Sequence, residues 1–268
     1  MTDNPAEMVK PVEKIAREAG GILMDYFGRI AQVEYKGIGD IVTEADKASE
    51  QFIKTKLESL YPHDSTLGEE FGLSDLQSDN CWVTDPLDGT ANYAAGLPIF
   101  SVAIGLLHKG SPILGVVFDP TTDRMFSAVK SQTAMLNGTA IHSNGRERLD
   151  AIGLFGFSSD VMKALNPFMQ NLAKGRSLGS AALHICGVAT GHFDGSLDYY
   201  TKLWDVTAAA AILEAAGGCV TYPSGEAIFP LPADSPAYRG AAVPFLATNG
   251  KLHEECVNEL AQNHSLPR

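Results

Sequence analysis

The sequence predicts a mixed fold: an α+β first half over residues 1–150 and an α/β second half over residues 151–268. Three observations carry this. Residues 101–107, 113–118 and 125–129 are apolar runs separated by the turns His108-Lys109-Gly110-Ser111 and Asp119-Pro120-Thr121-Thr122-Asp123, the pattern of an antiparallel meander. Beyond about residue 150, short apolar runs alternate with helical segments, which is the α/β pattern. No Gly-, Ser- or Pro-rich linker separates the halves, so they should share an interface.

The elements follow in order. Val9, Val12, Ile15, Ala19, Ile22 and Phe27 recur at three- to four-residue steps and predict a first helix. Asn4-Pro5 suits its start, although Pro11 leaves the true beginning open. A second helix begins at Thr43, presents Ala45, Ala48, Phe52, Leu57 and Leu60 on one face, and ends at Pro62. After the meander, residues 133–148 are rich in turns. Strands are then expected at 151–157, 193–199, 219–222 and 245–248. Helices are expected at 159–173, 179–190, 204–216 and 251–261, with Gly217-Gly218 ending the third of these.

A chain of 268 residues, 45% apolar and 19% charged, can bury a substantial core. The net charge of −12 opposes generic binding to nucleic acid, because a polyanion is repelled. Residues 1–10 have neither a basic nor an apolar signal region, and the longest apolar run near the C-terminal half, 206–213, is too short for a bilayer. A cytoplasmic protein without membrane contact is the expectation. Cys81, Cys186, Cys219 and Cys256 are scattered, with no Cys-x-x-Cys pair, so they read as small core residues rather than zinc ligands or disulfides.

Four acidic segments carry the chemistry. In Trp82-Val83-Thr84-Asp85-Pro86-Leu87-Asp88-Gly89-Thr90-Ala91-Asn92, an apolar strand runs into two aspartates and a tight turn. Two neighbouring carboxylates repel one another, and a hard divalent cation removes the repulsion. Asp85, Asp88 and the Leu87 carbonyl could supply three oxygens to such an ion. A helix starting at Gly89-Thr90 would present amides to a phosphate in the same space. Equally, Asp-Pro and Asp-Gly are ordinary turn dipeptides, and the residues alone leave both readings open. Gly68-Glu69-Glu70, Trp204-Asp205 and Thr43-Glu44-Ala45-Asp46 each also have a plain structural reading, as a solvated loop, a helix N-cap and a capping box. The seven histidines match no metal-ligand spacing and read as surface or core residues. Trp82 and Trp204 flank metal-type carboxylates and read as packing that steadies the acidic loops. No P-loop lysine motif is present, and a water activated by a bound cation would need no protein nucleophile.

Together, Asp-Ile-Val-Thr-Glu-Ala-Asp at 40–46, Gly-Glu-Glu at 68–70, Trp-Val-Thr-Asp-Pro-Leu-Asp-Gly-Thr-Ala-Asn-Tyr at 82–93, Trp-Asp-Val-Thr-Ala-Ala-Ala at 204–210 and Glu-Ala-Ala-Gly-Gly at 214–218 resemble the inositol monophosphatase family of lithium-sensitive, Mg²⁺-dependent phosphatases. The motifs stand in family order and the resemblance spans about residues 8–262. It implies a layered αβαβα sandwich, a homodimer, inhibition by Li⁺ and two or three Mg²⁺ ions per site. It implies that Glu69, Asp85 and the Leu87 carbonyl hold a first metal, and that Asp85, Asp88 and Asp205 hold a second. Glu69 and Thr90 would position the attacking water, with Asp46 supporting a third metal or its waters. Gly89 and Thr90 would hold phosphate. Gly179, Ser180, Ala181 and Asp198, with Asp88 and Asp205, would meet the alcohol part of the substrate.

The implied substrate is a small phosphate monoester, with myo-inositol 1-phosphate foremost. Asp198 stands where glutamate is frequent in the family, and Ser180 where threonine is, which bears on hydroxyl recognition rather than on the chemistry. Fructose 1,6-bisphosphate, adenosine 3′,5′-bisphosphate and histidinol phosphate are the rival substrates. Gly96-Leu97-Pro98-Ile99-Phe100-Ser101-Val102 leans toward the monophosphatase branch. A non-catalytic regulatory protein keeping the fold is the rival class, and the presence of Glu69, Asp85, Asp88, Thr90 and Asp205 opposes it.

Overall fold

The computed structural model describes residues 4–29, 33–37, 40–74, 78–150, 152–164 and 174–262. The expected cap at Thr43 lies outside what it describes at side-chain level, and residues 165–173 of the helix expected at 159–173 lie outside the described residues. Helix α1 (Pro5–Tyr26) is capped by the Asn4 side chain, which accepts from the Ala6 amide at 3.2 Å, and runs through Pro11 without a break. Apolar contacts of Met8, Val12, Ile15, Ala19 and Leu23 bracket the proline and hold the helix on both sides of it. A hairpin, β1 (Val33–Gly37) and β2 (Asp40–Thr43), leads into α2 (Glu44–Leu60).

Eight strands form the first sheet: β3 (Ser65–Gly68), β4 (Gly72–Leu73), β5 (Asn80–Asp88), β6 (Ser101–His108), β7 (Ser111–Asp119), β8 (Arg124–Val129), β9 (Met135–Leu136) and β10 (Thr139–Ala140). Their spatial order is β10-β9-β8-β7-β6-β5-β3-β4. Every pairing is antiparallel except β3 with β5. The meander read from the apolar runs is β6-β7-β8, and the turn-rich stretch that follows contains the small β9–β10 hairpin. Alternation sets the two faces of this sheet. Val102, Ile104 and Leu106 of β6 join the core under α1 and α2, whereas Ala103 and Leu107 join the opposite core.

That opposite core is filled by α5 (Ala181–Ala189) and α6 (Leu203–Ala215). The alanines of α6 have a geometric reason. A Cβ on Gly115 would stand 2.0 Å from the Ala208 carbonyl oxygen, and one on Gly105 2.7 Å from the Thr207 methyl. The helix lies directly on bare sheet backbone, and only small residues permit this.

Beyond α5 and α6 comes a second sheet of β11 (Leu154–Phe157), β12 (Lys174–Arg176), β13 (Gly195–Asp198), β14 (Cys219–Thr221) and β15 (Phe245–Thr248), in the order β12-β11-β13-β15-β14. β11 is parallel to β12 and β13, while β15 runs antiparallel to β13 and β14, so the sheet is mixed. Its outer face carries Phe155, Phe157, Leu197 and Leu246, packed against α4 (Ser159–Ala164) through Val161 and α7 (His253–Gln262) through Cys256 and Leu260. The layers are therefore helices, sheet, helices, sheet, helices, the αβαβα sandwich.

The expected face of α2 needs correction. Leu60 is exposed and Phe52 half-buried, whereas Asp46, Ser49 and Glu50 are buried beside Ala45, Ile53 and Leu57. An apolar count cannot find this face, because its neighbours are the acidic loops and their backbone polar groups. Cys81, Cys186 and Cys256 are buried and Cys219 half-buried, all as free thiols. Among the described residues no helix is long and apolar enough to cross a membrane.

Candidate active site

Five segments far apart in sequence meet at one cleft of about 370 Å³. Glu69 arrives on the β3–β4 turn. Asp85, Leu87 and Asp88 end β5. Residues three apart on a regular strand point to opposite faces. The register of β5 against β6 shifts between Asp85 and Asp88, so both carboxylates reach the cleft. Gly89, at φ 101°, precedes the five-residue helix α3 (Thr90–Ala94). Gly179, Ser180 and Ala181 enter at the start of α5, Asp198 at the end of β13, and Asp205 in the first turn of α6. Asp205 is not the N-cap: it sits three residues inward, and its carboxylate accepts from the Lys202 amide at 2.6 Å.

Asp46 is reached through Thr90, whose hydroxyl lies 3.0 Å from the Leu87 carbonyl and 3.4 Å from an Asp46 carboxylate oxygen. Leu87, fully buried, offers only this carbonyl to the site. Asp88 accepts from the Ser180 hydroxyl, from the Ala182 and Ala181 amides at 2.9 and 3.1 Å, and from Ser101 at 3.3 Å. It therefore ties β5 to the N-terminus of α5, a second task the sequence does not reveal. Asp85 accepts from the Leu87 amide at 2.9 Å.

The electrostatics are those of carboxylates forced together. Burial, then repulsion from Glu69, Asp205 and Asp88, raises Asp85 well above the usual carboxylate range. Burial and Asp88 push Asp205 up to about 7, and Asp85 and Asp205 hydrogen-bond each other. Burial raises Asp88 less, because its four donors favour the charged form. A divalent cation could replace the shared proton, and an all-oxygen donor set suits a hard ion. Among the described residues no three such side chains already stand in ligating geometry. The Asp88 carboxylate leans onto α5 and that of Asp85 onto Leu87. The shared cleft and the all-oxygen chemistry of these groups fit a hard divalent cation.

Six cleft residues escaped the sequence reading: Ser158, Ser159, Asp160, His184, Tyr200 and Thr201. Ser-Ser-Asp ahead of a helix signals only a helix start. His184 is a core histidine as expected, yet it also lines the cleft. Trp82 is buried, stacked on Tyr61 at 4.9 Å, with its indole N–H donating to Asp64 at 3.0 Å. It anchors β5 to the α2–β3 connection, the packing role expected of it.

Comparison with known proteins places the chain among phosphatases. The model of the inositol monophosphatase family matches residues 4–265. The fructose-1,6-bisphosphatase/inositol-1-monophosphatase of Aquifex aeolicus is 39% identical over 221 residues, covering 78% of this chain and 84% of that protein. The inositol monophosphatase of Mesembryanthemum crystallinum is 37% identical over 79% of this chain and 83% of its own length. Among solved structures, the extragenic suppressor protein SuhB of Bartonella henselae superposes with a TM-score of 0.84 at 28% identity, covering 95% of this chain and 98% of that one. The chain belongs to the inositol monophosphatase family.

Proposed function

We propose that this phosphatase releases phosphate from myo-inositol 1-phosphate, with Mg²⁺ held by Glu69, Asp85, the Leu87 carbonyl, Asp88 and Asp205. The observation that carries this reading is the convergence of four carboxylates with Gly89 and Thr90 on one cleft. Bound there, Mg²⁺ would lower the pKa of a water and neutralise charge on the departing oxygen.

The chain supplies the rest. Glu69 accepts a proton from the attacking water, and Thr90 orients that water with a lone pair, its own proton being directed to Leu87 or Asp46. Amides at Gly89 and Thr90 hold the phosphoryl oxygens, and Asp46 fixes the Thr90 rotamer. At the alcohol end, Gly179, Ser180 and Ala181 shape one wall. Asp198 faces the cleft with Ser158, Ser159, Asp160 and Tyr200. Asp198 is buried, is raised chiefly by that burial, and accepts from the Tyr200 amide at 2.9 Å. Carboxylate and hydroxyl groups there suit a polyol that donates hydrogen bonds. The second phosphate of fructose 1,6-bisphosphate would meet Asp160 and Asp198, which favours the inositol ester over the bisphosphate.

The test is phosphate release with Mg²⁺ from myo-inositol 1-phosphate, fructose 1,6-bisphosphate, histidinol phosphate and adenosine 3′,5′-bisphosphate. The inositol ester is expected to have the highest kcat/KM, and Asp85→Asn to lower kcat by about 100-fold or more. Preference for another ester moves the substrate and keeps the chemistry. Wild-type rates in Asp85→Asn would sink the assignment of the site.

A further inference from the structure

One face of α2 carries three polar residues at helical spacing, Asp46, Ser49 and Glu50, at 0, 0 and 1% exposure. Burying two carboxylates and a hydroxyl on one helix face costs free energy unless each finds partners. Each finds them on a different segment of the cleft. Asp46 accepts from Thr90 at 3.4 Å. Ser49 donates to the Pro86 carbonyl, between Asp85 and Leu87, at 3.2 Å. Glu50 spends one carboxylate oxygen on the Glu70 amide at 2.7 Å and the other on the Phe71 amide at 2.9 Å.

Glu50 brackets Glu69. It grips the two amides that follow, and its carboxylate also fills the space beside the residue before. A Cβ on Gly68 would stand 2.0 Å from the Glu50 carboxylate oxygen. The backbone on both sides of Glu69 is thus set by a single buried side chain. Charge-assisted bonds to two successive amides are stronger than neutral ones and fix direction as well as distance.

We propose that Glu50, with Ser49, is a positioning residue of the active site: α2 acts as a rigid spacer that holds Glu69 at the separation from Asp85 and Leu87 that a divalent cation requires. Glu50 does not touch substrate or cation; it acts through Glu69. This rests on the reading of Glu69, Asp85 and Leu87 as cation ligands. A purely structural Glu50 would support folding and leave cation affinity alone, so the two roles separate by measurement.

The test is equilibrium binding of Mn²⁺ to the metal-free protein, read from the electron paramagnetic resonance signal of free Mn²⁺, without turnover. Glu50→Gln keeps the shape but sets an NH₂ against one amide. It is expected to raise the Mn²⁺ Kd by about 10-fold or more, as loss of groups that orient ligands does. The KM for the phosphate ester at saturating Mg²⁺ should stay within about two-fold, since the cation site is then filled and Glu50 lines no part of the cleft that meets the ester. Asp194→Asn is the control for general destabilisation. Asp194 is a buried hub accepting from Asn144 at 2.8 Å and from Arg146 and the Leu154 amide at 3.0 Å, away from the cleft. Its loss should lower Tm and leave Mn²⁺ affinity unchanged. Should Glu50→Gln not fold, Ser49→Ala, which frees the Pro86 carbonyl, is expected to weaken Mn²⁺ binding several-fold. Wild-type Mn²⁺ affinity in the variant that folds overturns the proposal. Wild-type protein that binds Mn²⁺ but hydrolyses no ester overturns the phosphatase reading alone; wild-type protein that binds no Mn²⁺ overturns both.

Discussion

His184 illustrates what a single buried residue decides. Its Nε2 accepts the Leu178 amide at 2.8 Å, just before the Gly179-Ser180-Ala181 wall of the cleft, and Phe193 packs 6.1 Å from its ring. Burial depresses its pKa to about 4, and no charged neighbour contributes to that shift. A protonated ring would lose the Leu178 bond and carry an unsolvated charge. The folded state therefore takes up this proton only near pH 4, whereas the unfolded chain does so near 6.5. Between those values the unfolded state binds more protons, so stability falls as pH falls from 6.5 toward 4. Urea unfolding at pH 7.5 and 5.0 checks this. Wild type is expected to lose roughly 2 kcal/mol more than His184→Asn over that interval. Equal losses would mean that His184 does not titrate as described. Asp88 gives the same lesson from the other side. Its place in an acidic motif was legible, but its clasp on the start of α5 was not, because its partners lie some ninety residues away.

Among the elements, α6 sets the site most directly, since it carries Asp205 and lies on Gly105 and Gly115 of the first sheet. The strand and helix character of these pieces follows from local pattern, and both were expected. Their contact distance was not. Nothing in an alternating strand says that a helix axis will cross above its glycines, and the alanine run of α6 makes sense only once that crossing is seen. Gly115→Ala would drive a methyl into the Ala208 carbonyl and force α6 to shift. A loss of about 2 kcal/mol in urea unfolding is expected, with a weaker Mg²⁺ response because Asp205 moves with the helix. Gly145→Ala, where an added Cβ meets nothing within 4 Å, should change neither. The misread face of α2 belongs at this scale too. Hydrophobic periodicity favoured Phe52 and Leu60, and the structure buries Asp46, Ser49 and Glu50 instead. The ends of β3 and β5, with the turn after β3, lie opposite those residues and present backbone polar groups to them.

Over the whole molecule, a net charge of −12 and a buried group of mutually repelling carboxylates strain the folded state in the same sense. Cation binding should relieve both. A ligand at 100 times its Kd adds about 2.7 kcal/mol to a protein that binds it only when folded. Differential scanning calorimetry should show Mg²⁺ raising Tm by about 5–10 °C at such an excess, for a protein of this size. EDTA should reverse the rise, and Asp85→Asn should abolish it. A Tm indifferent to Mg²⁺ in wild type would argue against a strong cation site in the cleft.

The sequence by itself determined the identity of most elements, the mixed α+β and α/β character, and the acidic motifs whose resemblance implied the αβαβα sandwich and the family. These are written in short windows, where side-chain period and turn chemistry act over a few residues. Only the tertiary structure decided that Glu69, Asp85, Asp88 and Asp205 line one cleft, and that His184 and Asp160 face it. The same is true of Glu50 beneath the Glu69 turn. Such positions depend on where elements distant along the chain come to rest. Packing against small residues and the pairing of buried polar groups with backbone amides set those positions, and neither leaves a local signature.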